Sequence, residues 1–165
     1  MVNFCNTAKR IMDQSEDSRE MVDMAFLYLC SGNPYAAYVC LENVQEQSLA
    51  VLYNRALCLY LVDEHEECYQ LLKEAEKFIP NKLQGDKNRK IPRALQEWEH
   101  ETSPVTCPLP RKAPENLAII QLLRLKAEAA FHLQLYEEVK RVASVLHGEY
   151  KHINELIKKI GNHDL

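Results

Sequence analysis

The chain has 165 residues, of which 47% are hydrophobic and 27% are charged, and its formal net charge at pH 7 is −4. This length suits one globular domain, and the balance of apolar and charged residues excludes a disordered chain. A negative net charge without a basic stripe argues against a nucleic-acid partner, and no apolar run approaches the roughly 20 residues of a membrane-spanning helix.

The first part of the chain is predicted to form one short helix followed by a pair of helices. Glycine is scarce, at 4 residues, which favours helices throughout. Residues 1–14 are predicted to form an N-terminal cap helix, whose apolar stripe consists of Phe4, Ala8, Ile11 and Met12. Residues 18–47 are predicted to form the first helix hairpin, with the turn at Gly32, Asn33 and Pro34.

Residues 48–80 give the clearest hairpin pattern. In the stretch LYNRALCLYLVDEHEECYQLLKEAEKFIPN, apolar residues recur at helical spacing on both sides of Asp63 and Glu64. Pro80 ends the second helix, because proline lacks an amide hydrogen and clashes with the preceding turn. Two helices approach closely only where side chains are short, and the short side chains here are Ala56, Cys68 and Ala75.

Residues 81–115 depart from the hairpin pattern and are predicted to be a proline-rich insertion, since they hold five of the seven prolines. The stretch PRALQEWEHE predicts one short helix with Pro92 in its first turn. Trp98, the only tryptophan, either folds back onto the domain or is a contact for a partner. The stretch VTCPLPRKAP has a polyproline character and is a candidate ligand for a proline-reading domain.

The last part of the chain is predicted to form a third hairpin and a second cap. The hairpin covers residues 116–147, with Gln134 at its turn, and the C-terminal cap helix covers residues 148–162. The apolar stripe of this cap consists of Ile153, Leu156, Ile157 and Ile160. Stacked helical units need terminal elements with a polar outer side, so all of these elements are assigned to a single domain, residues 1–165.

One spacing recurs in the three hairpins. Twelve residues separate Ala25 from Ala37, Ala56 from Cys68, and Ala127 from Val139. Helix hairpins with small residues at set places and a closing proline resemble the tetratricopeptide repeat, or TPR. The resemblance implies about three repeats, and hence a TPR-like α-solenoid of antiparallel helix hairpins with helical caps. The first and third hairpins depart from the family pattern because they lack the closing proline.

The resemblance also implies a binding surface. In this family the first helices of the hairpins line a concave face that holds a peptide or a partner helix. The positions of this chain that would line the face are Phe26, Tyr53, Asn54, Leu57, Tyr60, Glu128, Phe131 and His132. The groove is expected to be aromatic and apolar more than charged, with packing against the next hairpin as the alternative role of each residue.

The tripeptide NRA at residues 54–56 is similar to part of a clamp with which some TPR domains hold the acidic C-terminal tails of chaperones. The positive residues of that clamp are replaced here by Val22, Phe26, Gln121 and Leu125. A terminal carboxylate needs several positive donors, so this activity is not predicted.

The cysteines and the catalytic motifs indicate neither a metal site nor an enzyme. The six cysteines are scattered without a CxxC pair, at Cys5, Cys30, Cys40, Cys58, Cys68 and Cys107. Reduced, buried thiols are therefore expected. No glycine-rich phosphate loop, HExxH or GxSxG motif occurs, so no catalytic residue and no cofactor is predicted. His132 is the one histidine that we would check for a role.

The predicted function is that of a protein-interaction module, either an adaptor or an assembly subunit, with a protein or peptide as its partner. One alternative is self-association through the groove or the C-terminal stripe, which would give a homo-oligomer. Another is a small-molecule-binding or catalytic helical domain. The polar sequence MVNFCNTAKRIMDQ is unlike a secretory signal, which predicts a cytoplasmic or nuclear location.

Overall fold

The computed structural model describes residues 3–79, 104–148 and 150–163, with side chains from residue 16 to residue 161 within those ranges. These residues form seven helices and no strand, which confirms the all-α prediction. The helices, numbered in chain order, are α1 (Asn3–Cys30), α2 (Pro34–Glu42), α3 (Leu49–Tyr60), α4 (His65–Glu76), α5 (Glu115–His132), α6 (Tyr136–Val145) and α7 (Lys151–His163).

The helices pack in the order in which they occur in the chain. Helices α1 and α2, α3 and α4, and α5 and α6 form pairs joined by residues 31–33, 61–64 and 133–135. Each first helix also contacts the first helix of the next pair, so α3 lies between α1 and α5, and α5 in turn contacts α7. The first helices α1, α3 and α5 are therefore neighbours and share one face.

The three turns between paired helices have the same backbone geometry. Each has one residue in the left-handed region, with φ of 75° at Gly32, 64° at Asp63 and 60° at Gln134. The amide of the residue after it donates a hydrogen bond to the carbonyl five positions earlier, which closes the helix end. These bonds run from Asn33 to Tyr28 (2.8 Å), from Glu64 to Leu59 (3.0 Å) and from Leu135 to Ala130 (2.8 Å).

The core includes the positions that the twelve-residue spacing marks. These side chains are fully buried, with 0% exposure at Ala25, Ala37, Ala56, Cys68, Ala127 and Val139. Ala75 is also buried. Because interiors are packed as densely as organic crystals, the small size of these side chains sets how closely the helix axes approach.

Polar side chains mark where the second and third helices begin. The Asn33 side chain accepts a hydrogen bond from the amide of Ala36 at 3.1 Å, and Pro34 occupies the first turn of α2. Ser48 accepts from the amide of Val51 at 3.4 Å at the start of α3. Arg55 of α3 donates a hydrogen bond to the carbonyl of Leu41 in α2, and its side chain thus links the two helices.

Two boundaries differ from the sequence-based expectation. Residues 3–14, expected to form a separate cap helix, continue without a break into α1. Residues 80–103 lie outside the described ranges, and with them Trp98 and the short helix expected around it. None of the helices in the described ranges is long and apolar enough to span a bilayer.

Gln134→Gly is expected to raise the free energy of unfolding by about 1 kcal/mol. Glycine adopts the left-handed conformation at this turn without the steric cost that a Cβ brings. Urea unfolding followed by circular dichroism measures the difference. The control is Gln70→Gly, at an exposed position inside α4, where glycine should lower stability by about 1 kcal/mol. Equal losses in the two variants would contradict the role assigned to the turn.

Candidate functional site

A segment of the chain itself lies across the shared face of α1, α3 and α5. Residues 104–111, called the crossing segment below, precede α5 and have no regular secondary structure beyond turns. The Cys107 amide donates to the Pro104 carbonyl at 3.0 Å, and the Ala113 amide donates to the Pro110 carbonyl at 2.9 Å. Pro108 and Pro110 flank Leu109 and favour an extended backbone at the residues before them.

Tyr53 holds the first part of the crossing segment from α3. Its hydroxyl oxygen lies 2.7 Å from the backbone carbonyl of Val105 and 2.9 Å from that of Cys107, and its single hydrogen is donated to these two acceptors. The Tyr53 side chain is completely buried, and burial raises the pKa of its phenol far above the ordinary value. The hydroxyl therefore stays protonated at any physiological pH and acts as a permanent donor to a peptide backbone.

Asn54 binds the backbone of Leu109 at two points. Its Nδ2 donates to the Leu109 carbonyl at 2.6 Å, while the Leu109 amide donates to its Oδ1 at 2.9 Å. A side-chain amide has the same donor and acceptor as a peptide group, so Asn54 pairs with Leu109 as a neighbouring strand would. Both residues are buried, with 0% exposure for Asn54 and 2% for Leu109.

The two ends of the crossing segment contact the flanking helices. Gln121 of α5 donates from Nε2 to the Pro104 carbonyl at 3.5 Å, the outer limit of a hydrogen bond. At the other end Arg111 forms an ion pair with Asp23 of α1, with Nε to Oδ1 at 3.2 Å. The segment thus spans the shared face from α5 to α1. We call the part beneath it, formed by Asp23, Tyr53, Asn54 and Gln121, the covered half.

Another group of polar residues lies around Glu128 near the end of α5. His152 of α7 donates from Nε2 to Glu128 Oε2 at 2.6 Å, and the Tyr60 hydroxyl lies 3.4 Å from Glu128 Oε1. The same hydroxyl lies 3.4 Å from His132 Nε2, and the His132 ring stacks on that of His65 with 4.3 Å between centroids. We call the part formed by Tyr60, Glu128 and His132 the open half.

Glu128 is ionised at neutral pH although it is largely buried. Burial alone would raise the pKa of this carboxyl, but the hydrogen bond from His152 and the nearby imidazoles of His152 and His132 outweigh that effect. The pKa of Glu128 therefore lies below its ordinary value. The pKa of the Tyr60 phenol is raised by burial and by the Glu128 charge, so Tyr60 remains a neutral hydrogen-bond donor.

The residues predicted from the sequence to line the groove have different degrees of exposure. Three are buried, namely Tyr53, Asn54 and Leu57. Four are half-buried, namely Phe26, Tyr60, Glu128 and Phe131, and His132 is exposed. Phe131 lies beneath the Lys159 ammonium, with 5.9 Å from Nζ to the ring centroid. The structure thus brings Tyr60, Glu128 and His132 together, whereas the crossing segment covers Tyr53 and Asn54.

A second group of charges lies on another side of the molecule, between α4, α5 and α6. The buried Lys126 ammonium contacts Glu76 and, at 2.6 Å, Glu138, and Arg141 reaches both carboxylates at 2.7 Å. Burial alone would raise the pKa of Glu138, but hydrogen bonds from Arg141 and Lys126 lower it to about 2. Two acids thus balance two bases, and we interpret this network as a connection between helices.

Two cysteines lie in the core and have protonated thiols. Burial raises the pKa of both Cys58 and Cys68 to about 12, so neither is a thiolate at neutral pH. Cys40 and Cys107 are half-buried and Cys30 is exposed. The expectation of buried thiols thus holds for Cys58 and Cys68, and not for Cys30.

Comparisons of this chain with protein-family models, with curated proteins and with solved structures gave no match.

The sequence analysis did not connect Asp23, Gln121 or residues 104–111 with the groove. A signal was present in the stretch CPLPR, where an isolated leucine stands between two prolines and cannot be buried by a helix of its own. The polyproline character of this stretch makes it a candidate ligand for a separate proline-reading domain. In the structure it contacts the shared face of its own chain instead.

Asn54→Ala is expected to lower the free energy of unfolding by about 2–4 kcal/mol, because it leaves the buried amide and carbonyl of Leu109 without partners. Urea unfolding at pH 7 measures this loss. The matched control is Asn43→Ala, since Asn43 is exposed and donates only a long 3.5 Å bond to Val39; that variant should stay within about 0.5 kcal/mol of wild type. A similar loss in both variants would show that the Asn54–Leu109 pairing contributes nothing specific.

Glu128→Gln is expected to lower stability by about 1–3 kcal/mol at pH 7, since it removes a charged hydrogen-bond acceptor. The Glu128 pKa is lower in the folded chain than in the unfolded one, so its contribution is complete above the unfolded pKa, roughly 4.3. It is lost as the pH falls through the folded pKa. Urea unfolding at a series of pH values should therefore show wild type and variant converging in acid.

The control for this pH series is Glu74→Gln. Glu74 forms an ion pair with Lys77 at 2.6 Å, but both side chains are more than 60% exposed. Such exposed pairs contribute little, so Glu74→Gln should follow wild type at every pH. A constant difference between wild type and Glu128→Gln down to strong acid would rule out the lowered pKa.

Proposed function

We propose that the chain is a TPR-like stack of three helix hairpins that acts as a protein-interaction module, either an adaptor or an assembly subunit. Its binding surface is the shared face of α1, α3 and α5, and its ligand is a peptide segment of a partner protein. The observation that carries the proposal is the two-point pairing of Asn54 with the Leu109 backbone. A face that binds peptide groups within its own chain has the chemistry needed to bind those of another.

The repeated geometry of the hairpins supports the TPR-like part of the proposal. The left-handed residues Gly32, Asp63 and Gln134 each follow the first small residue of their hairpin by seven positions. The same backbone hydrogen bond closes all three turns. Contacts between successive first helices are what a stack of such hairpins requires. The hairpins of the proposed domain are residues 18–47, 48–80 and 116–147.

The groups on the shared face support binding rather than catalysis. Tyr53 is a permanent donor to carbonyls, and Asn54 is a combined donor and acceptor; both suit a peptide backbone and neither is a nucleophile. We therefore assign no catalytic residue and no cofactor. We also propose that the chain is located in the cytoplasm or the nucleus.

Self-association through the C-terminal stripe is the less favoured alternative. Ile153, Leu156 and Ile160 of α7 are buried within the chain itself, with at most 2% exposure. These side chains cannot be the contact between two copies while α7 stays packed. Ile157, the fourth residue of the stripe, is half-buried, and one such side chain is far too small a surface to hold two copies together. A homo-oligomer would therefore have to form mainly through another surface.

The proposal predicts that peptides bind at the open half of the shared face. Random peptides displayed on phage are selected on the purified full chain, and the dissociation constants of the selected peptides are measured by fluorescence anisotropy. Tyr60→Ala and His132→Ala should each raise these constants about tenfold, because few residues carry most of the binding energy of an interface. Tyr53 is unsuitable for this test because it is buried.

The control variant is Tyr35→Ala, which removes an aromatic ring that is 78% exposed on α2, outside the shared face. It should leave the dissociation constants unchanged. Failure to select any peptide, or equal binding by all three variants and wild type, would refute the proposed function.

A further inference from the structure

We propose that the crossing segment is an internal occupant of the shared face, and that the partner peptide has the same chemistry and takes its place. That chemistry is a leucine followed by a proline, with a basic residue two positions after the leucine, as in Leu109, Pro110 and Arg111. The proposal rests on the proposed function and names the class of peptide that the covered half recognises.

The covered half contacts the leucine position through its backbone and its side chain, and the basic position through its charge. Asn54 pairs with the backbone of the leucine position, which needs a residue with both a free amide and a carbonyl. The Leu109 side chain is buried within the apolar core, so this position selects an apolar residue. Asp23 binds the cation through Nε and a second guanidinium nitrogen of Arg111, at 3.2 and 3.4 Å.

The proline between the leucine and the cation completes the pattern. Pro110 is exposed and has no amide hydrogen, so the shared face does not have to provide an acceptor for it. It restricts Leu109 to an extended conformation in the free peptide as well as in the bound one. A peptide with this proline loses less conformational freedom on binding, which favours it over a flexible competitor.

The contacts of the crossing segment suit an occupant that can leave. Pro104 and Pro110 are exposed, residues 105–108 are half-buried, and Leu109 is the one position of residues 104–111 that is fully buried. The ion pair at its end joins a half-buried Arg111 side chain, 25% exposed, to an Asp23 side chain that is 56% exposed, so solvent weakens the attraction between them. The segment also contributes no helix to the packing of the core.

Tethering gives the segment an advantage over any free peptide. A flexible tether holds a segment near its site at an effective concentration in the millimolar range. A peptide that would bind the vacated face at roughly 10 μM would thus bind the intact chain about 100-fold more weakly. A partner protein overcomes this competition only if it also binds elsewhere, and the open half beside the covered half provides such a surface.

The first test is amide hydrogen exchange in the wild-type full chain, followed by NMR. The Leu109 amide is protected by Asn54 Oδ1, so it exchanges only when the segment leaves the face. We expect it to exchange at least 100-fold faster than the amides of Leu57 and Leu122, in the buried parts of α3 and α5, and to be insensitive to low urea concentrations. Exchange of all three at one rate, with one urea dependence, would overturn the proposal.

The second test adds a fluorescent peptide with the sequence of residues 104–113, with Ser in place of Cys107, to a full chain in which residues 105–111 are replaced by Gly and Ser. Binding should be at least tenfold tighter than to wild type. If the replaced chain is folded by circular dichroism and the peptide does not bind it, the covered half does not recognise this chemistry and the proposal fails.

A charge exchange tests the basic position without disturbing the core. Arg111→Glu in the full chain should speed exchange of the Leu109 amide at least threefold, since it places a like charge beside Asp23, while leaving Leu57 unchanged. Combining Arg111→Glu with Asp23→Arg should restore the wild-type rate. Asp23 is exposed and Arg111 is half-buried at the edge of the segment, so this pair decides the question even if the replaced chain does not fold. An exchange rate of the Leu109 amide that is the same in wild type and in both variants would overturn the proposal.

Failure of this proposal can be distinguished from failure of the proposed function. The selection experiment depends on Tyr60 and His132, whereas these experiments depend on Leu109, Arg111 and Asp23. If the crossing segment does not leave the face but selected peptides bind and need Tyr60, this proposal fails and the proposed function stands. The binding surface is then limited to the open half.

Discussion

The close approach of paired helices depends on the small side chains that lie between them. Ala25, Ala56 and Ala127 occur at the same place in three hairpins, and each is completely buried, as is the residue twelve positions later. Larger side chains would separate the helix axes and break the contact between neighbouring pairs. The positions of α1, α3 and α5, and therefore the face they share, follow from this packing.

The shared face needs a peptide backbone across its covered half, from the crossing segment or from a peptide that replaces it. Tyr53 and Asn54 are polar and completely buried, and a buried polar group without a hydrogen-bond partner costs about 1–3 kcal/mol. The backbone of residues 105–109 provides those partners. The same groups that stabilise the fold thus make the face specific for peptide backbone, which links the packing of the chain to the function we propose.

The helices and the turns between them could be predicted from the sequence because their signals are local: a helical period and a turn residue. The continuity of α1 was missed because residues 14–18 are polar, yet they contain neither proline nor glycine to end a helix. Burial of Tyr53 and Asn54 was missed because it depends on contacts with residues 52 to 55 positions away in sequence. No local pattern contains information about such distant contacts. Tyr60, Glu128 and His132, which the sequence also predicts to line the groove, remain at least partly accessible.

The crossing segment changes how the helices depend on one another. Where each helical pair contacts only the next, pairs can unfold one at a time from either end. Here the crossing segment also joins Asp23 in α1 to Gln121 in α5 across Tyr53 and Asn54 in α3. Unfolding of the first pair therefore also disturbs contacts of the third. The crossing segment thus adds to the direct contacts between neighbouring pairs, and it couples the unfolding of the first pair to that of the third.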